Sequence, residues 1–103
     1  MQYLVRLTDR AVRDLEAIYE FIEADTSIAA HAGFQELAEA IHGLERYPER
    51  GAATLENKKL RQLIFGNKPD LYRVIYAIDK RNASVNILHI RHGARSANRV
   101  EQG

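Results

Sequence analysis

The chain has 103 residues, with 15 Lys and Arg against 14 Asp and Glu, a net charge of +1 and no cysteine. That length suffices for one hydrophobic core and predicts a single domain over residues 1–103, folding without metal or disulfide staples. Lack of cysteine excludes a disulfide framework and a thiolate metal site and fits a reducing cytoplasm; no metal and no cofactor are expected. Apolar stretches are only a few residues long, and Met1-Gln2-Tyr3 leads into a strand-like segment rather than a basic and then apolar leader. An intracellular soluble chain with no membrane partner is expected.

The small net charge hides a division. Residues 1–57 carry five Arg and no Lys against eleven acids, a balance of −6, whereas residues 58–103 carry ten Lys and Arg against Asp70, Asp79 and Glu101, a balance of +7. Helices coated with acids and a sheet coated with bases produce such a split, and so does a surface for an anionic partner. The cations run on through the last strand instead of clustering in a tail, which favours the second origin.

In chain order, Tyr3 to Leu7 reads as a short strand with Tyr3, Val5 and Leu7 on one face. Thr8 or Asp9 then caps a helix whose Ala11, Leu15, Ile18 and Ile22 form an apolar stripe. Asp25-Thr26-Ser27 offers a second cap, and Ala30, Phe34, Leu37, Ala38, Ile41 and Leu44 repeat the period until Tyr47-Pro48 stops it. So short a link makes the helices an antiparallel hairpin. Pro48 to Gly51 is a turn by composition, Ala52 to Lys59 an irregular surface segment, and Leu60 to Phe65 a strand. A turn over residues 66–70 leads to a strand from Leu71 to Ile78, rich in Tyr, Val and Ile. Asp79 to Ser84 turns again, Val85 to Arg91 is the last strand, Gly93 breaks it, and the end frays from Ala97.

The order strand, helix, helix, strand, strand, strand predicts an α+β fold of two layers, with the helical hairpin on one face of a mainly antiparallel sheet. The other face, or a cleft beside residues 52–59, is then free for function. Alternation puts Leu71, Arg73, Ile75 and Ala77 on one side of their strand. In the last strand it opposes Val85, Ile87, His89 and Arg91 to Asn86, Leu88, Ile90 and His92. Arg73, flanked by apolar residues, is either the ion-pair partner of a helix acid such as Asp14 or Glu36 or an anion-binding group at a cleft edge. Spacing favours the ion pair.

The helical hairpin, the "ERYPERG" turn, the "YRVIY" strand and the "IRHGAR" ending together resemble the RelE/ParE superfamily of type II toxin–antitoxin toxins, also called plasmid stabilisation proteins. The resemblance runs from Tyr3 to about Ser96 and implies the same architecture, growth inhibition and a cognate antitoxin as partner. It also implies one of two targets. RelE-like and YoeB-like members cut mRNA on the ribosome, whereas ParE-like members poison DNA gyrase.

RNA cleavage needs a base, a cation facing the phosphate and an acid; the YoeB-like set of a loop glutamate, the strand arginine and a histidine after the last strand corresponds here to Glu56, Arg73 and His92, with Arg73 matching the phosphate-stabilising arginine. The RelE-like set is incomplete, with Lys59 and Arg61 as approximate matches, Arg95 in place of a second arginine, and no tyrosine after Tyr76. The missing residues favour a ParE-like binding toxin, with the endoribonuclease as the alternative. Taken singly, His89 reads as a packed sheet residue, His92 as a turn residue and Glu56 as a loop acid. Taken together, Lys59, Arg61, Arg73, Arg91 and Arg95 read as a surface for the target or the antitoxin.

Overall fold

A computed structural model describes residues 2–66 and 71–93. Arg95, part of the turn expected over residues 66–70, and the end expected to fray from Ala97 lie outside these described residues. Strand β1 (Leu4–Leu7) leads into helices α1 (Asp9–Phe21) and α2 (Ile28–His42). Two short 3₁₀ turns (Gly43–Glu45 and Pro48–Arg50) follow, and then strands β2 (Ala52–Ala53), β3 (Leu60–Phe65), β4 (Tyr72–Asp79) and β5 (Ser84–His92).

Local chemistry sets the helix bounds. The Thr8 hydroxyl accepts the Ala11 N–H at 3.2 Å, and the Ser27 hydroxyl accepts the Ala30 N–H at 3.2 Å, so each helix starts on a side-chain cap. Helix α1 ends where Glu23 takes a left-handed φ of 57°. The Ala24 and Glu23 N–H groups then reach back to the carbonyls of Tyr19 and Glu20, the paired bonds that satisfy a helix C-terminus.

The sheet runs β1-β5-β4-β3-β2, with β1 parallel to β5 and every other pair antiparallel. The expected α+β layering is therefore observed, with one addition. Residues 52–59 are not wholly irregular, because Ala52 and Ala53 pair with Gln62 and Arg61 as the edge strand β2. Thr54 ends it, its hydroxyl clasping the Asn57 carbonyl and N–H in a tight loop.

The helices cover one face. Ala11, Ile18, Leu37, Ile41 and Leu44 pack on Leu63, Val74, Tyr76, Val85, Ile87 and Ile90 in one cluster. Burying an aliphatic side chain of this size is worth about 1.5–3 kcal/mol, which is why neither layer stands alone.

Strict alternation fails in β5. Tyr76 pairs with Ile87 but Ile75 pairs with His89, so Leu88 is an extra residue, a β-bulge. Val85, Ile87, Ile90 and His92 consequently all face the core, at 0, 0, 2 and 4 % exposure. The alternation read from the sequence, which set Ile90 and His92 against Val85 and Ile87, is corrected by that one residue. The bulge lies where β1 ends, at the Leu7–Ile87 pair. Beyond it Thr8 donates its N–H and hydroxyl to the Ile87 carbonyl, and the Asp14 carboxylate accepts the Ile90 N–H at 2.9 Å. Helix α1 thus satisfies an edge that no strand covers.

Candidate functional site

Arg73 stands on the face away from the helices. Its Cα partners are Ile64 on β3 and Arg91 on β5, and side chains opposite one another across strands share a face. Its Nε donates to the Gln62 side-chain oxygen, which orients the guanidinium, and one terminal nitrogen lies 3.7 Å from a Glu56 carboxylate oxygen. The Glu56 side chain is 73 % exposed and that of Arg73 30 %, so water screens the pair. The expected partnership of Arg73 with Asp14 or Glu36 does not form. Asp14 bonds instead to His89 Nδ1 at 2.7 Å, while His89 Nε2 meets Arg10 at 3.3 Å.

The other candidates divide between the two faces. Arg91 joins Arg73 on the open face. Lys59 is exposed at the start of β3. Arg61 sits with Tyr76 across β3–β4, and its guanidinium donates to the Gly51 carbonyl at 2.6 Å, with Glu49 at 3.7 Å. Arg61 therefore pins the Pro48–Gly51 turn. His92 is on the core face, stacked on Tyr72 at 4.9 Å between ring centroids and edge-on to Phe21 at 5.3 Å. The structure thus brings Glu56 and Arg73 together and separates His92 from them by the sheet.

Two contributors escaped the sequence reading. Gln62 aims Arg73, and the alternation of β3 was enough to set it on the face opposite Arg61. Tyr76 closes the turn from below, donating its hydroxyl to the Pro48 carbonyl at 2.7 Å and accepting the Gly51 N–H at 2.9 Å. Burial raises the Tyr76 pKa, outweighing the lowering influence of the Gly51 hydrogen bond and nearby arginines. Nothing local in "YRVIY" announces a contact to residues 48–51.

On the helical side, the end of α1, one face of α2 and the end of β3 frame an open groove of about 760 Å³. Its walls are mainly apolar, from Phe21, Ile22, Ala30, Phe65 and Tyr72, with Gly33 leaving space and Glu36 supplying a charge. An added Cβ at Gly33 would meet nothing within 4 Å. Among the described residues no helix is long and apolar enough to cross a membrane. No group of three or more His, Asp or Glu among them is placed to hold a metal ion.

Solved structures share this fold. The toxin–antitoxin complex RelBE2 of Mycobacterium tuberculosis is similar with a TM-score of 0.65 and 27 % identity, over 89 % of this chain and 99 % of that one. A chromosomal ParDE system of P. aeruginosa matches with a TM-score of 0.69 and 20 % identity, over 88 % and 96 % of the two chains. A variant of E. coli RelE in the free state matches at 0.64 and 13 %, over 98 % and 94 %. No curated protein matches in sequence. The fold is thus shared with proteins of toxin–antitoxin systems. The family model for the ParE toxin of the type II toxin–antitoxin system, parDE, matches residues 5–97, and the chain belongs to that family of toxins.

Proposed function

We propose that this toxin inhibits growth by binding a protein target in the cytoplasm, with DNA gyrase as the target the ParE family suggests, and that it does not cut RNA. The observation that carries this reading is the position of His92. RNA cleavage by attack of a 2′-hydroxyl needs a base, a phosphate-binding cation and an acid converging on one phosphate. His92 is buried against Tyr72 and Phe21, on the far side of the sheet from Glu56 and Arg73. With the acid displaced, the open face keeps cations suited to binding.

A cognate antitoxin neutralises the toxin, and its amphipathic segment takes the apolar groove between α1, α2 and the end of β3. The groove's size and lining support this, since a folding-on-binding helix needs a concave apolar strip. The Glu56–Arg73 contact of 3.7 Å favours a second reading, the mRNA endoribonuclease.

Induction of the toxin alone separates the two. The expected outcome is growth arrest with bulk mRNA intact, and inhibition of supercoiling when purified toxin meets purified gyrase. Cleaved mRNA with unaffected supercoiling overturns the binding reading.

A further inference from the structure

Arg73 and Arg91 are directly opposed on β4 and β5. Like charges at that spacing are unfavourable unless an anion lies between them. Among the described residues the acid paired with Arg73 is Glu56, but its 3.7 Å separation exceeds hydrogen-bond length and its side chain is 73 % exposed. The guanidinium is meanwhile held by Gln62 through Nε, which uses only one of its five N–H donors, and its side chain is 30 % exposed. Two opposed arginines, one of them oriented by Gln62, with a loosely held acid are the arrangement of a binding site closed by a weak internal ligand.

We propose that Glu56 is an intramolecular stand-in for the true ligand of the Arg73–Arg91 pair, an acidic segment of a protein partner whose carboxylate displaces it. The inference rests on the protein-binding reading above and extends it to the chemistry of the partner. The surroundings favour a carboxylate on a polypeptide over a phosphodiester. Ile64, 52 % exposed, and Ile75 border the arginines, and the aromatic side chains of the strands, Phe65, Tyr72 and Tyr76, pack with the core instead. The one described strand ring on this face, His89 opposite Ile75, is tied down by Asp14 and Arg10 and 21 % exposed, which leaves a nucleic-acid strand little to stack on. An extended peptide alternating acidic and aliphatic residues would set carboxylates on the arginines and apolar side chains on the isoleucines.

The stand-in gives Glu56 a sign opposite to that of a catalytic base. A fluorescein-labelled peptide of alternating Glu and Leu and a single-stranded RNA of equal charge serve as probes, read by anisotropy at low salt. Removing the competitor in Glu56→Gln should tighten peptide binding about two- to five-fold, the range of an exposed ion pair. Arg91→Gln should weaken it by at least that factor, and the peptide should bind more tightly than the RNA. Thermal melts of both variants confirm that they fold.

Unchanged or weaker peptide binding in Glu56→Gln overturns the stand-in, as does an absence of peptide binding or tighter binding of the RNA. The same preparations are tested against gyrase and against mRNA. Retained gyrase inhibition with unchanged peptide affinity overturns only this inference, whereas RNA cleavage that disappears in Glu56→Gln overturns the binding function itself.

Discussion

The two faces of the sheet are built from the same strands and differ in what completes them. On the helix side, alternate residues of β4, namely Tyr72, Val74 and Tyr76, are 4, 0 and 0 % exposed, and the Tyr76 hydroxyl finds its partners within the chain. On the open side Arg73, Ile75 and Ala77 are only partly buried, and Arg73 faces another arginine. A face that satisfies itself specifies the fold; a face whose charges are left opposed is suited to a partner. Histidine and arginine side by side in "IRHG" illustrate the division, since Arg91 belongs to the open face and His92 to the core.

The contrast is broken most strongly at that pair of residues. His92→Ala should destabilise by about 2–4 kcal/mol, because it empties a buried ring site between Tyr72 and Phe21. Arg91→Ala should change stability by no more than about 0.5 kcal/mol. Urea unfolding of both measures the difference, and equal losses would mean that the faces are not distinct. Toxicity lost in His92→Ala must therefore be read against its stability before it says anything of chemistry.

A smaller effect is expected at the turn that Arg61 and Tyr76 hold. A Cβ at Gly51 would run into the Gln62 backbone carbonyl and come within 2.7 Å of the Tyr76 hydroxyl. Gly51→Ala should cost about 1–3 kcal/mol, measured by the midpoint of urea unfolding. No loss would show that the turn can move off the sheet.

The groove offers a change of opposite sign. Gly33 lies inside α2 with open space at its Cβ, so Gly33→Ala should stabilise the free toxin by up to about 1 kcal/mol. Gly33→Leu fills the groove and should weaken antitoxin binding at least about ten-fold by titration calorimetry, a loss of about 1.4 kcal/mol. Unaltered antitoxin affinity would remove the groove from the interface.

Titration gives the smallest effects and sharpens the comparison at two ends of pH. Hydrogen bonds from Asn82, its side chain first, lower the Asp79 pKa. Its contribution to the β4–β5 turn is present above the ordinary aspartate range and is lost as pH falls through the depressed value. The Tyr76 pKa is raised chiefly by burial, so its contribution is present below the ordinary tyrosine range and is lost as pH rises through the elevated value. Unfolding free energies against pH in the wild type and in Asp79→Asn and Tyr76→Phe check both signs.

Much of the architecture was legible because its causes are local. The stripe Ala11, Leu15, Ile18, Ile22 and the capping stretches Thr8-Asp9 and Asp25-Thr26-Ser27 are signals within a few residues of one another, and the structure takes Thr8 and Ser27 from them as the caps. The meander β3–β4–β5 followed from short turns, and the grouping of Arg73 with Ile75 and Ala77 followed from the period of two, whereas the side the helices cover did not. The end of α1 was less legible, for its C-terminal turn uses Glu23 at a left-handed φ where glycine is the usual marker.

What the sequence by itself determined was the order of the two helices and the four longer strands, the apolar stripe of α1 and which residues of β4 share a face with Arg73; in α2 it put Ala38 in the stripe, where Ala38 is exposed and Ala40 is buried. Tertiary structure alone decided which side received His92, because one extra residue at Leu88 reverses every later side chain and no residue type marks it. It also decided that Asp14 meets His89 rather than Arg73, since α1 crosses the edge of β5 left bare where β1 stops. Glu56 came to Arg73 in the same way, through a loop folded back on itself by Thr54 and Asn57. Side chains far apart in the chain meet according to where strands end and loops return, and those lengths are set by packing of the whole rather than by any stretch of residues read alone.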